Sequence, residues 1–283
     1  MNASPGFPSF DVLLPELDQF IHELMQYHQA GKINSWEQLE EKVNAFFTPV
    51  QMDRMESVAP GWRKMASYSG GITLVHVMCV FLGVYMMPEY RVLTPDQQQM
   101  AKWIVLFHDL DKVHIPGKKD SMHAFQSGVL AANTLPSLGF PITAKYHERI
   151  HSWSEHTLQA FVIRANDATP KPDNQKLPEI LTGIEDLFGK NAPATLITKI
   201  VLLHISLKVD PLYATPSPLT EEEIKHFITP DLLPLLKVMM MGDNEGWALF
   251  EPEVRKRQYK DTVAAFQEVE KIITDNSDIQ INQ

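Results

Sequence analysis

The chain has 283 residues, of which 44% are hydrophobic and 21% charged, enough to bury a core in one large or two small domains and too apolar for extended disorder. Its net charge of −10 excludes a sequence-independent grip on a nucleic-acid duplex, which needs a basic face. The single cysteine, Cys79, excludes an internal disulfide and any cysteine-built zinc site.

In chain order, residues 10–30 place Phe10, Leu13, Leu14, Leu17, Phe20, Ile21, Leu24 and Met25 at helical spacing, ended by Gly31. Ser35 with Gln38 makes a capping box for a second helix ending near Phe47, and a third segment from Pro49 to Val58 stops at Pro60. This portion holds no constellation of chemical groups, and His22 and His28 read as surface residues. From Tyr68 the pattern changes. Gly70-Gly71 opens the most apolar stretch, Ile72 to Met87, which carries His76 and is shorter than the about 20 residues of a membrane span. No basic segment followed by an apolar run marks the N-terminus. The expectation is a soluble, cytoplasmic protein with a buried helix here.

Thr94-Pro95-Asp96-Gln97 combines an N-cap, a proline at the first helical position and a capping box. The helix it starts is predicted to run to His108-Asp109, with a turn at Pro116-Gly117. Asp120 caps a helix that carries His123 and reaches Leu138-Gly139. Residues 143–165 read as helical and hold His147, His151 and His156. Residues 166–193 form a surface excursion with one short helix, Glu179 to Phe188. An apolar helix from Thr195 to Lys208 carries His204, and a proline-rich loop spans Pro211 to Pro218. Thr220 starts a short helix, and Thr229-Pro230-Asp231 starts another that delivers Asp243. Amphipathic residues 252–273 close the chain before a polar tail. No convincing strand or internal repeat occurs. The prediction is all-α: a single helical bundle over 61–283, with residues 1–60 as an N-terminal helical extension.

His76, His108, Asp109 and Asp243 stand out because they occupy apolar helices or their ends, where an unpaired polar group costs roughly 1–3 kcal/mol. The run Trp103 to Phe107 leads straight into His108-Asp109. Imidazole plus carboxylate suits Mn, Fe, Zn or Ni, and one ion would satisfy both groups. His123 and His204 form a second tier. Lys112 projects to the side of His108 and Asp109 if the helix continues, well placed for a phosphate oxygen, with Lys118 and Lys119 just beyond the turn. The bland alternatives are a dipole-paired histidine at a helix end for His108, a core histidine for His76 and an N-cap for Asp243. His147 and His151 share a polar, solvated face. Met239 to Met241 read as core filler, and Trp62, Trp103, Trp153 and Trp247 give no pattern that calls for a nucleobase platform.

His76, then His108-Asp109 with Lys112, then distant Asp243 resembles the HD superfamily of metal-dependent phosphohydrolases, over roughly residues 68–250. His123, within Asp120 to Gly128, is similar to the histidine beginning the next helix in many members, and His204 to the one preceding the final Asp. Asp111 stands where many members have glycine, and the His123–His204 separation is longer than usual. An insertion at 141–193 accounts for that length, or His147 or His151 supplies a ligand instead. The resemblance implies an all-α bundle and one or two divalent transition-metal ions (Mn, Fe, Ni, Co or Zn) on His76, His108, Asp109, Asp243, His123 and His204. It implies catalysis through Asp109 and Lys112, with Lys112, Lys118 and Lys119 binding the phosphate of a nucleotide or related small phosphate. A second class fits the same six groups: HD-fold proteins resembling inositol oxygenase and the phosphonate-cleaving oxygenases hold two irons and cleave a C–C or C–P bond. A non-catalytic ligand-binding module is the third expectation. The expected partner is a small phosphorylated substrate, with neither duplex nucleic acid nor membrane, and a homo-oligomer is compatible with the pattern.

Overall fold

Prolines and side-chain caps set most of the helix starts. The computed structural model describes residues 6–113, 118, 120–163, 165, 167–205 and 219–280, by backbone alone at 69 and 275–280. After the single turn α1 (Phe10–Leu13), Pro15 opens α2 (Pro15–Gln29). Ser35 accepts the Gln38 N–H at the start of α3 (Trp36–Phe46), and Thr48 accepts the Gln51 N–H at α4 (Pro49–Val58). The short α5 (Trp62–Ser67) leads into α6 (Ile72–Met86), entered through Gly71 at φ +98°, a left-handed value that glycine adopts without strain. The turn α7 (Pro88–Arg91) precedes α8 (Pro95–Phe107), where both bonds of the Thr94–Gln97 capping box form. Then come α9 (His123–Thr134), α10 (Tyr146–Leu158), α11 (Leu177–Phe188), α12 (Pro193–Leu203), α13 (Glu221–Phe227), α14 (Leu233–Trp247) and α15 (Pro252–Gln280).

The protein is all-α. Among the described residues the only strands are two-residue β1 (Phe161–Val162) and β2 (Lys171–Pro172), paired antiparallel. They correct the helix predicted over 143–165. The chain leaves α10 at Leu158, Ala160 turns back onto the Thr157 carbonyl, and Asp173 donates to the Ala160 carbonyl. The closing helix continues to Gln280, beyond the expected 273. His114, Lys119, the Pro116-Gly117 turn, Lys208 and the Pro211 to Pro218 loop lie outside the described residues. No described helix is long and apolar enough to cross a membrane.

At the centre is α6, buried on every side from Thr73 to Tyr85 and surrounded by α2, α3, α5, α8 and α14. Its most extensive partner is α14, and two glycines one turn apart explain why. A Cβ on Gly242 would fall 2.5 Å from Val84 Cγ2, and one on Gly246 would fall 2.7 Å from Val80 Cγ2. The small residues let the two backbones approach, and that approach carries Asp243 to His76. The N-terminal helices share this core: Phe10, Leu14, Leu17 and Ile21 are buried in one cluster with Phe81 and Trp103. Asp18 accepts hydrogen bonds from Tyr85 Oη at 2.7 Å and Lys102 Nζ at 2.8 Å, and Trp103 Nε1 donates to the Pro8 carbonyl.

Candidate metal centre

Five helices bring six groups together. His76 lies within α6 and Asp243 within α14; His108 and His204 are the first residues beyond α8 and α12, and His123 is the first residue of α9. Asp109 follows α8, which ends at Phe107, short of the predicted His108-Asp109. There the chain tightens into three-residue turns, with Leu110 N–H on the Phe107 carbonyl and Lys112 N–H on the Asp109 carbonyl. This turn, rather than a continued helix, lets Lys112 Nζ reach Asp109 Oδ2 at 2.6 Å.

The groups form two triads, His76–His108–Asp243 and Asp109–His123–His204, each with its ligand atoms within 4.8 Å of one another. His76 Nε2 is 2.9 Å from Asp243 Oδ1, and His108 Nε2 is 3.9 Å from the same oxygen. Asp109 stands between the triads. Its Oδ2 lies 3.5 Å from Nε2 of both His76 and His108, and its Oδ1 lies 3.2 Å from His123 Nε2. His123 Nε2 and His204 Nε2 are 3.3 Å apart.

The backbone decides which nitrogen of each ring faces inward. His108, His123 and His204 each place Nδ1 on the carbonyl three residues earlier: Val105 at 2.7 Å, Asp120 at 2.5 Å and Val201 at 2.6 Å. A carbonyl only accepts, so Nδ1 carries the proton and Nε2 turns toward the cluster. Burial lowers the His76 ring, takes His123 down to about 3 and takes His204 to about 4. His123 and His204 are therefore neutral, and their Nε2 lone pairs face each other. His108 Nε2 and Asp109 Oδ1 are buried with no hydrogen-bond partner. Electron-rich atoms gathered without donors are unfavourable unless a cation joins them. Imidazole nitrogen and carboxylate oxygen are the donors a divalent transition metal takes, so these residues fit an ion.

The acids and the lysine complete the electrostatics. Burial alone would raise the Asp109 carboxyl, but the Lys112 ammonium holds it well below the usual carboxylate range. Asp243 is likewise held down, against burial, by its hydrogen bond to His76 and by nearby charge. For Lys112 the downward push of burial is outweighed by Asp109 and Asp243, and its ammonium is raised. No family model, curated protein or solved structure matches the chain. The centre is therefore read from its own atoms.

All six residues expected as ligands meet here. Lys118 is exposed. His147 and His151 do not join the cluster: both are exposed on α10, and His151 Nε2 pairs with Glu155 at 3.3 Å. Their polar surroundings already marked that face as solvated. Trp247 is a residue the sequence pattern did not single out. His76 has no partner for Nδ1; its ring stacks on Trp247, centroids 4.0 Å apart and planes within 17°. The available signal was spacing: Trp247 follows Asp243 by four residues and shares its face of α14.

Proposed function

We propose that the protein is a metal-dependent phosphohydrolase of the HD type, cleaving a phosphate ester or anhydride of a nucleotide or related small phosphate. The observation that carries this reading is Asp109, buried between two ligand triads with Lys112 on one of its oxygens. His76, His108 and Asp243 would hold one ion and His123 and His204 a second, with Asp109 shared. Such ions lower the pKa of a coordinated water and polarise a phosphoryl oxygen. The chain's own residues do the rest. The three Nδ1–H bonds to backbone carbonyls hold the rings in the ligating tautomer. Lys112, half-buried and positively charged, offers its ammonium to a phosphoryl oxygen and offsets charge developing there. Lys118 would add a second positive charge for the phosphate.

The six-group stoichiometry also suits a di-iron oxygenase, so the test has two arms. Chelator-stripped protein is reloaded with Mn, Co, Ni, Zn or Fe and assayed for phosphate release and for oxygen consumption, with Asp109→Ala beside it. Metal-dependent phosphate release lost in Asp109→Ala supports the hydrolase. Oxygen consumption by the iron form without phosphate release replaces it with the oxygenase.

A further inference from the structure

Five of the six cluster groups, and Asp109 among them, are almost fully buried; among the described residues the cluster opens to solvent only at Asp243, 20% exposed, and Lys112, 24% exposed. A substrate therefore enters past these two side chains. Trp247 stands on the same side. It is 46% exposed, with one face on His76 and the Lys112 ammonium 5.5 Å from its ring centre. Trp36 lies parallel to it, planes within 7° and centroids 6.2 Å apart. Trp36 is the first residue of α3, and the Ser35 cap fixes it there. The mouth of the centre thus carries a cation beside a pair of aligned indoles, one of them contributed by the first sixty residues.

We propose that Trp247 and Trp36 determine substrate choice by stacking against a planar aromatic group joined to the phosphate. This inference rests on the phosphohydrolase reading, since it places the phosphate on Lys112 and the ions. A phosphate held at the ammonium leaves the attached group within about one ring's width of the Trp247 indole. A flat aromatic group laid against the exposed part of the paired indoles gains stacking that a flexible chain of equal size does not. The N-terminal helices then do more than cover the core: they supply a wall of the site.

The test is equilibrium binding of two non-hydrolysable probes, phenylphosphonate and butylphosphonate, to the full chain loaded with Mn. The expected result is a preference for the phenyl probe of roughly three- to tenfold. Trp247→Leu and Trp36→Leu should each bring that ratio close to one, and Trp36→Phe should keep most of the preference. Equal binding of both probes by the unmodified protein overturns the inference and leaves the phosphohydrolase reading standing. An equal loss of both probes in a variant that retains its circular-dichroism spectrum also overturns it, because the tryptophan then only supports the fold. No binding of either probe overturns both readings.

Discussion

Replacing Gly246 with alanine tests whether helix approach, rather than ligand identity alone, builds the centre. The added Cβ would lie 2.7 Å from Val80 Cγ2, 3.1 Å from Val80 N and 3.3 Å from Val80 Cα. Ordinary carbon contacts are about 3.5–4.0 Å, and a β-branched valine in a helix has little rotamer freedom to yield. Backbone atoms of α6 cannot yield separately, so α14 must move away by up to about 1 Å. Overpacking of this kind costs about 1–3 kcal/mol, while glycine to alanine within a helix returns about 1 kcal/mol. The net loss is about 0–2 kcal/mol, a modest fall in melting temperature. The larger effect falls on the centre. Asp243 is three residues away on the same helix, and its 2.9 Å contact with His76 would open toward about 4 Å, against the roughly 0.2 Å tolerance of metal–ligand distances. Calorimetric titration with Mn should show affinity lower by tenfold or more. Gly183→Ala is the matched control, since its Cβ would clash with the Trp153 indole far from the cluster. If Gly246→Ala binds metal as tightly as Gly183→Ala, the role given to helix approach is wrong.

Lys112→Met removes the ammonium from buried Asp109, so the metal-free protein should lose about 1–3 kcal/mol in urea unfolding; the gap should close once ions take over the carboxylate, and a gap unchanged by metal would contradict this. Acid should also destabilise the metal-free chain. Folded His76, His123 and His204 titrate below the unfolded value of about 6.5, so below that pH the unfolded chain binds protons the folded one does not. Stability then falls as pH drops from about 6.5 toward about 4, by up to roughly 1.4 kcal/mol per pH unit for each histidine. Asp109 and Asp243 contribute in the same direction at lower pH: their stabilisation is complete above the ordinary carboxylate range and is lost only as pH falls below it. Flat urea midpoints between pH 7 and 5 would refute the buried neutral histidines. Away from the centre, Asp18→Asn should cost about 2–4 kcal/mol by leaving Lys102 buried without its counter-ion, and adding Lys102→Met should recover much of the loss. Independent, additive effects would mean the pair is not coupled.

Local chemistry made much of this molecule legible. Ser35, Thr94 and Thr220 cap the helices that their spacing implied, and His76, His108, Asp109 and Asp243 drew notice because polar groups rarely interrupt core-grade helices. Long-range geometry was less visible. The Gly242 and Gly246 spacing bears on the site only when α6 lies against it. Trp247 becomes significant through a stack with a residue 171 positions earlier, a separation no local pattern reports. The end of α10 was misjudged because its polar sequence remains compatible with helix as far as 165; pairing with residues beyond 170 draws the chain away.

The most direct measurement is the metal content of protein purified without chelator, followed by titration of the stripped chain. Two triads, with Asp109 of one lying 3.5 Å from two histidines of the other, should hold about two equivalents of a divalent transition metal per chain, with both lost in Asp109→Ala and only one lost in His204→Ala. A chain that carries no metal, takes up none on titration and still folds would contradict the metal centre itself.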